Sequence, residues 1–161
     1  MSLFGSVILL ALTSVASDYP LIFKIKRNTN KNEVIYKARV QQEKKFHKDD
    51  PLEAYWLMFE EKGQREELSG IEKSLAYGFD IQEASEQQVK FEMTAVEVRD
   101  FFMKYINGVP KVISQYQGKD YHLNYIYVHA EPGLILPSVT RVELHGNWAH
   151  DGKPMVEIIR Q

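Results

Sequence analysis

A block near the middle of the chain, residues 50–79, constrains the fold more than any other part of the sequence. After a polar turn that ends at Pro51, residues 55–59 (YWLMF) form a run without a polar residue. A short apolar run bounded by turn residues is typical of a β-strand that is covered on both faces. Residues 61–64 (EKGQ) then predict a turn into a second strand over 65–68. The block therefore specifies a β-rich fold, and it carries no recognisable catalytic motif.

The same block ends in the one predicted helix of the chain, over residues 69–77. Ser69 can cap its first turn, and Glu72 stands three residues later, as in a capping box. Ile71 and Leu75 fall on one face of the helix. We expect this short helix to plug or cover one end of the β structure.

Short stretches of alternating apolar and polar residues predict strands along the rest of the chain. Turn signals such as Asn107-Gly108 and Gln117-Gly118 separate them. This spacing predicts an antiparallel β-barrel or closed sandwich of about 8–10 strands. The further predicted strands cover residues 21–26, 34–40, 89–95, 98–106, 111–116, 121–130, 138–144 and 155–159, and for 98–106 a helix is the alternative.

The first 17 residues carry no charged side chain and contain an apolar run at 7–12. Val15 and Ser17 fit the small-residue positions before a signal-peptidase site. The run is shorter than the roughly 20 residues that cross a membrane. We therefore expect a signal peptide over 1–17, a single β-rich domain over 18–161 without a transmembrane segment, and a secreted or periplasmic protein. The alternative is an N-terminal core helix or strand.

The composition argues against several classes of function. The formal net charge is −2 with both signs interspersed, whereas nucleic-acid binding requires a basic field. The chain has no cysteine, so it has no disulfide framework. It has no Gly-x-Ser-x-Gly elbow and no glycine-rich phosphate loop. Its five histidines lack the spacing of metal ligands, and we expect no cofactor and no metal.

Two features nevertheless suggest a ligand site. Glu67 and Glu72 next to Arg65 could form a partly buried charge cluster, in which a shifted pKa would allow general acid–base chemistry, although structural ion pairing is the favoured interpretation. Aromatic residues occur in nearly every strand, where they either fill the core or line a barrel that holds an apolar ligand.

A third feature is a row of residues on one predicted strand, in which Tyr121, Leu123, Tyr125 and Tyr127 are expected to share a face. Tyrosines arranged in this way can bind a peptide or a glycan by stacking. No catalytic residue is predicted. The predicted ligand-binding residues are Tyr55, Trp56, Arg65, Glu67, Tyr77 and Tyr125.

Several short motifs along the chain together resemble one protein family. They are LIFKIKR at 21–27, YW at 55–56, EL at 67–68, AYG at 76–78, VELHG at 142–146 and GKPMVE at 152–157. In this order and spacing they resemble domain of unknown function 4833, an uncharacterised family of exported, β-rich bacterial proteins. The resemblance implies export and a β fold, and it assigns no activity and no site.

The sequence thus predicts an exported, monomeric, non-enzymatic binding module for a small apolar, glycan or peptide ligand. Two alternatives remain open. One is a hydrolase-like enzyme that uses carboxylates near the hairpin and helix at 65–78. The other is a structural module whose edge strand pairs with a partner protein.

Overall fold

A computed structural model describes residues 18–132 and 138–160, so the predicted signal peptide at 1–17 lies outside the described residues. Within them, an eleven-stranded mixed sheet curls into a half-barrel, and two further strands pair separately. The mainly β class with one short helical segment is therefore confirmed. The strands are β1 (Leu21–Arg27), β2 (Glu33–Ala38), β3 (Val40–Gln41), β4 (Lys45–Phe46), β5 (Leu52–Met58), β6 (Gln64–Glu67), β7 (Phe79–Ala84), β8 (Gln88–Met93), β9 (Val96–Ile106), β10 (Val109–Tyr116), β11 (Lys119–Glu131), β12 (Ser138–Trp148) and β13 (Pro154–Arg160).

The sheet forks at its longest strand, β11. The first half of β11 pairs with β10, and its second half pairs in parallel with β1 on the same edge, while β12 covers the other edge. The strand order is β6-β5-β2-β1-β11-β10-β9-β8-β7, with β12 and β13 branching from β11. The single parallel contact makes the sheet mixed rather than antiparallel throughout, and the fork produces two arms that curl towards each other.

Stacked aromatic rings fill the space between the two arms. Phe23 stacks on Tyr36 at 4.3 Å between ring centroids and faces Phe91 of the opposite arm at 6.5 Å. Phe91 in turn stacks on Phe101 at 5.6 Å. All four side chains are fully buried. These aromatics therefore build the core, which is the first of the two roles that the sequence allowed.

Two predicted hairpin turns are confirmed by their backbone conformation. Asn107 and Gly108 have φ of 50° and 78°, and Gln117 and Gly118 have φ of 51° and 74°. Two successive residues with positive φ are the mark of a type I′ turn, whose twist suits a two-residue β-hairpin. These turns fix the registers of β9 with β10 and of β10 with β11.

A β-bulge at Asn124 overturns the prediction of a four-residue face on β11. Leu123 pairs with Gly146 and Tyr125 with the adjacent His145, so Asn124 is an extra residue in the ladder. The bulge reverses the alternation of side chains. Tyr121 and Leu123 consequently lie in the core, whereas Tyr125 and Tyr127 lie on the outer face with partial exposure.

The helical segment consists of α1 (Gly70–Glu72) and a π-helical turn (Lys73–Tyr77), and the predicted capping box between Ser69 and Glu72 is confirmed. Its apolar face is not buried, because Ile71 is 71 % and Leu75 61 % exposed. The segment ends at Gly78, which has an extended backbone. A glycine is required there because a Cβ atom would lie 2.1 Å from the Lys73 carbonyl oxygen.

Candidate functional site

A cleft of about 610 Å³, which we call the seam cleft, is lined by the helical segment and by the adjoining ends of β6 and β7, the two terminal strands of the main sheet path. At one end of it, the Thr94 N–H donates to the Gly78 carbonyl at 3.1 Å. On the β4 side, the Phe46 N–H donates to the Glu86 carbonyl in the turn after β7 at 2.9 Å. The first contact continues the β7–β8 ladder, whereas the second ties β4, which lies between β2 and β5 along the chain, to the β7–β8 turn of the other arm. The seam cleft is lined by Arg39, Glu53, Ala54, Glu67, Leu68, Gly70, Lys73, Ser74, Tyr77, Gly78, Phe79, Asp80 and Thr94.

The lining of the seam cleft combines apolar side chains with charges of both signs. Tyr77 and Phe79 contribute aromatic surface on the side of the core. The Tyr36 hydroxyl holds this side in place, since it donates to the Tyr77 carbonyl at 2.7 Å. Burial, and the nearby Tyr77, raise the pKa of Tyr36 well above its ordinary value, so that its hydroxyl stays a donor.

The Glu72 carboxylate ties the helical segment to the sheet. It accepts hydrogen bonds from the Ser69 N–H and hydroxyl, both at 2.8 Å, and from the Trp56 indole N–H at 2.9 Å. Burial raises the pKa of Glu72, but these hydrogen bonds and the charge of Arg27 outweigh it and bring the pKa below its ordinary value. The carboxylate is thus charged at neutral pH and serves as a structural acceptor.

Arg27 and Tyr77 complete this side of the cleft. The Arg27 guanidinium lies 4.4 Å from the Trp56 ring centroid and donates to the Tyr77 hydroxyl at 3.2 Å. Trp56 and Tyr77 meet edge to face with their centroids 5.0 Å apart. A cation above an indole and an edge-to-face aromatic pair are each favourable arrangements, so the predicted residues Trp56 and Tyr77 form one rigid unit.

The predicted charge cluster lies on the outer side of the same cleft. Arg65 donates to Glu53 at 2.9 Å and to Glu67 at 2.6 Å, and its guanidinium covers the Tyr55 ring at 4.1 Å. Burial lowers the pKa of Arg65, but the hydrogen bonds to Glu67 and Glu53 raise it above its ordinary value. The cluster is an ion-pair network in which Glu67 is 68 % exposed, whereas Glu72, which we expected in the same cluster, accepts from Ser69 and Trp56 instead.

The six predicted ligand-binding residues therefore fall into two places. Glu67 and Tyr77 line the seam cleft itself. Three others lie outside the lining: Trp56 and Arg65 contact residues that belong to it, and Tyr55 lies beneath the Arg65 guanidinium. Tyr125 lies apart from them on the outer face of β11, where His145 stacks on its ring at 4.3 Å and Lys26 approaches at 5.0 Å. Because β1 and β12 flank β11 on opposite sides, both faces of that ring are covered.

Sequence reasoning missed several residues of the cleft. Arg39, Lys73 and Thr94 line it, although they lie in different segments and belong to no local motif. The capping box did indicate Glu72, but nothing in the sequence indicated that its second oxygen accepts from Trp56. These contacts join residues that are distant along the chain, and single-sequence patterns carry no signal for them.

Two further features of the described residues concern metals and membranes. Across 18–132 and 138–160, no three His, Asp or Glu side chains are grouped so that they could hold a metal ion. In the same part of the chain, the helices are too short to span a membrane.

The comparisons with known proteins concern the chain as a whole. Comparison with curated proteins gives no match, and neither does comparison with solved structures. The family model described as Domain of unknown function (DUF4833) matches residues 23–158, which is most of the 161-residue chain. The resemblance that the sequence motifs indicated is thereby confirmed, and the chain belongs to the family Domain of unknown function (DUF4833).

Proposed function

We propose that this protein is an exported, non-enzymatic binding module that holds a short extended peptide in the seam cleft. The observation that carries the proposal is the position of the cleft, whose lining includes Glu67 of β6 and Phe79 of β7, the two strands that end the main sheet path. A strand edge without a neighbour presents unpaired backbone N–H and C=O groups. An extended peptide can satisfy these groups by adding a strand to the sheet.

The size and the lining of the seam cleft support a short peptide. Its volume of about 610 Å³ falls within the range of about 300–1,000 Å³ that is usual for ligand sites. Phe79 and Leu68 offer apolar surface for one side chain of the ligand. Lys73 and Asp80 at the rim offer one charge of each sign, which suits a peptide of mixed charge.

The other ligand classes have less support. A small apolar ligand needs an enclosed apolar space, and stacked aromatic rings occupy the interior between the two arms. A glycan needs a free aromatic face, and the Tyr125 ring is covered on both sides. General-acid catalysis by a carboxyl group requires an environment that keeps the group protonated, whereas Glu67 is exposed and paired with Arg65.

The test of this proposal is a selection of random heptapeptides displayed on phage against the mature protein, followed by titration of the selected peptides. Two variants accompany it. Ser74→Trp fills the cleft from its exposed rim, and Gln87→Trp places the same ring on an exposed turn outside the lining. We expect Ser74→Trp to weaken binding by at least tenfold and Gln87→Trp to leave it unchanged. Peptides that bind both variants as well as the unchanged protein would refute the seam cleft as the site.

Export has its own test. Expression of the full chain in a bacterium with intact secretion, followed by mass spectrometry of the intact protein, should give a chain that begins at Asp18. A chain that keeps residues 1–17 and stays inside the cell would contradict export without bearing on the peptide site.

A further inference from the structure

A second cleft, of about 340 Å³, lies where β11, β12 and β13 meet, and it shares no lining residue with the seam cleft. Its lining includes Arg141, Arg160, His129 and Thr140. We propose that this arginine cleft binds an oxyanion, that is, a phosphate, sulfate or carboxylate group of a ligand. The proposal is independent of the peptide site.

The first observation is that two arginines oppose each other directly. Arg141 on β12 is the cross-strand partner of Arg160 on β13. Like charges in this position destabilise a sheet, because the Cβ atoms of opposed residues lie only about 4.5–5.5 Å apart. Among residues 18–132 and 138–160, Arg160 takes part in no ion pair that would offset this cost.

The second observation is that the Glu143 carboxylate, which pairs with Arg141, also pairs with two histidines. A carboxylate oxygen of Glu143 lies 3.0 Å from Arg141 Nη2. The Nε2 atoms of His129 and His145 lie 2.9 Å and 2.8 Å from oxygens of the same carboxylate. Hydrogen bonding by His145 lowers the pKa of Glu143 and outweighs the opposite effect of burial. One negative charge therefore serves three partners, and none of the described carboxylates forms an ion pair with Arg160.

The third observation is an unsatisfied donor. Arg141 Nε is buried and has no hydrogen-bond partner among the described residues. A buried N–H without an acceptor has lost its hydrogen bonds to water and gained none in return, and such groups in native proteins call for an explanation. Because this Nε is inaccessible, an oxyanion in the arginine cleft would bind the exposed part of the Arg141 guanidinium and so compensate the charge of a group whose Nε–H is unpaired.

The frame of the cleft is preorganised. The Asn28 side chain donates to the Ala130 carbonyl at 3.1 Å and accepts from the Ala130 N–H at 2.9 Å, which fixes the floor. The Thr140 hydroxyl donates to the His129 carbonyl at 3.3 Å. Glu131 is the one carboxylate in the lining, and it is exposed to solvent, where water screens its charge.

Two guanidinium groups and an imidazole define the chemical class of the ligand. Guanidinium groups match the oxygen pairs of carboxylates and phosphates, with which they form charge-assisted hydrogen bonds. Among the described residues of the lining, Ala130 is the one apolar residue, and the two guanidinium groups assign the site to the anionic group of a ligand.

The experiment compares thermal unfolding of the mature protein in phosphate, sulfate, acetate and chloride at one ionic strength. The variants are Arg160→Gln and the matched control Lys153→Gln, which removes one positive charge at the other end of the same hairpin. Titration of inorganic phosphate, followed through the NMR signal of the Arg141 Nε–H, provides a direct readout at the site.

We expect phosphate to raise the unfolding midpoint of the unchanged protein and of Lys153→Gln by a few degrees once it exceeds its Kd about tenfold. Arg160→Gln should lose that shift and, in chloride, unfold at the same or a higher temperature, because it relieves the arginine pair. Sulfate acting like phosphate would assign a tetrahedral oxyanion, and acetate acting alone a carboxylate. An equal phosphate shift in all variants, or an Arg141 Nε–H signal that does not move, would overturn the proposal.

Discussion

Replacement of Glu72 by glutamine tests the contact that ties the helical segment to the sheet. The amide NH₂ of the new side chain would face either the Trp56 indole N–H or the Ser69 donors, so at least one donor would lose its acceptor. Loss of an N-cap contact costs about 0.5–2 kcal/mol. An unsatisfied donor in a buried site costs about 1–3 kcal/mol. Because Glu72 is only partly buried, we add values from the lower parts of these two ranges. We expect the free energy of unfolding to fall by about 2 kcal/mol.

The pH dependence gives this prediction a second, independent signature. The pKa of Glu72 lies below its ordinary value of 4.5 in the folded protein. Its contribution to stability is therefore fully present above the pKa of the unfolded chain and disappears as the pH falls through the folded pKa. The variant carries no titrating group at this position. The difference in stability between the two proteins should consequently narrow as the pH is lowered from 7 to below 4.5.

Urea denaturation at a series of pH values measures both effects, with Glu66→Gln as the matched control. Glu66 is an exposed carboxylate on β6, and its neutralisation should change the free energy of unfolding by less than about 0.5 kcal/mol. A loss below about 0.5 kcal/mol for Glu72→Gln at pH 7, or a loss that stays constant down to low pH, would refute the role of Glu72 as a charged acceptor.

Three further substitutions test the fold by the free energy of unfolding in urea. Gly146→Ala should destabilise by about 1–3 kcal/mol or more, because the added Cβ would lie 2.3 Å from the His122 carbonyl oxygen, and a neutral result would mean that the bulged ladder adapts. Gly70→Ala, where a Cβ meets nothing within 4 Å, should be neutral or slightly stabilising, and a clear loss would contradict the open position of this glycine. Glu157→Gln should cost about 3–5 kcal/mol, since Glu157 is buried and accepts two 2.6 Å bonds from Arg99, and a cost below about 1 kcal/mol would show that water reaches the pair.

Local signals in the sequence predicted much of the secondary structure. The type I′ turns at Asn107-Gly108 and Gln117-Gly118 were predictable because few residue pairs tolerate two positive φ angles in succession. The capping box of Ser69 and Glu72 was predictable for a similar reason, since it needs two residue types at a fixed spacing. In each case the physical cause lies within a few residues of the chain.

The candidate site was predictable only in part. Five of the six predicted residues lie in or behind the lining of the seam cleft, because the block at 50–79 supplies several of its elements. Tyr125 was misplaced with Tyr121 on one face, since the bulge at Asn124 depends on the pairing of β11 with β12. An insertion of one residue moves every side chain beyond it to the opposite face of the sheet, and no local sequence pattern predicts the insertion.

The sequence by itself thus determined which segments form most of the strands and turns, which helix end is capped, and to which family the chain belongs. Only the tertiary structure decided that β1 joins β11 in parallel, that the helical segment and the adjoining ends of β6 and β7 line a cleft, and that Arg141 faces Arg160. The reason is physical: backbone conformation follows from neighbouring residues, whereas strand order, register and the meeting of distant charges follow from the packing of the whole chain around its aromatic core.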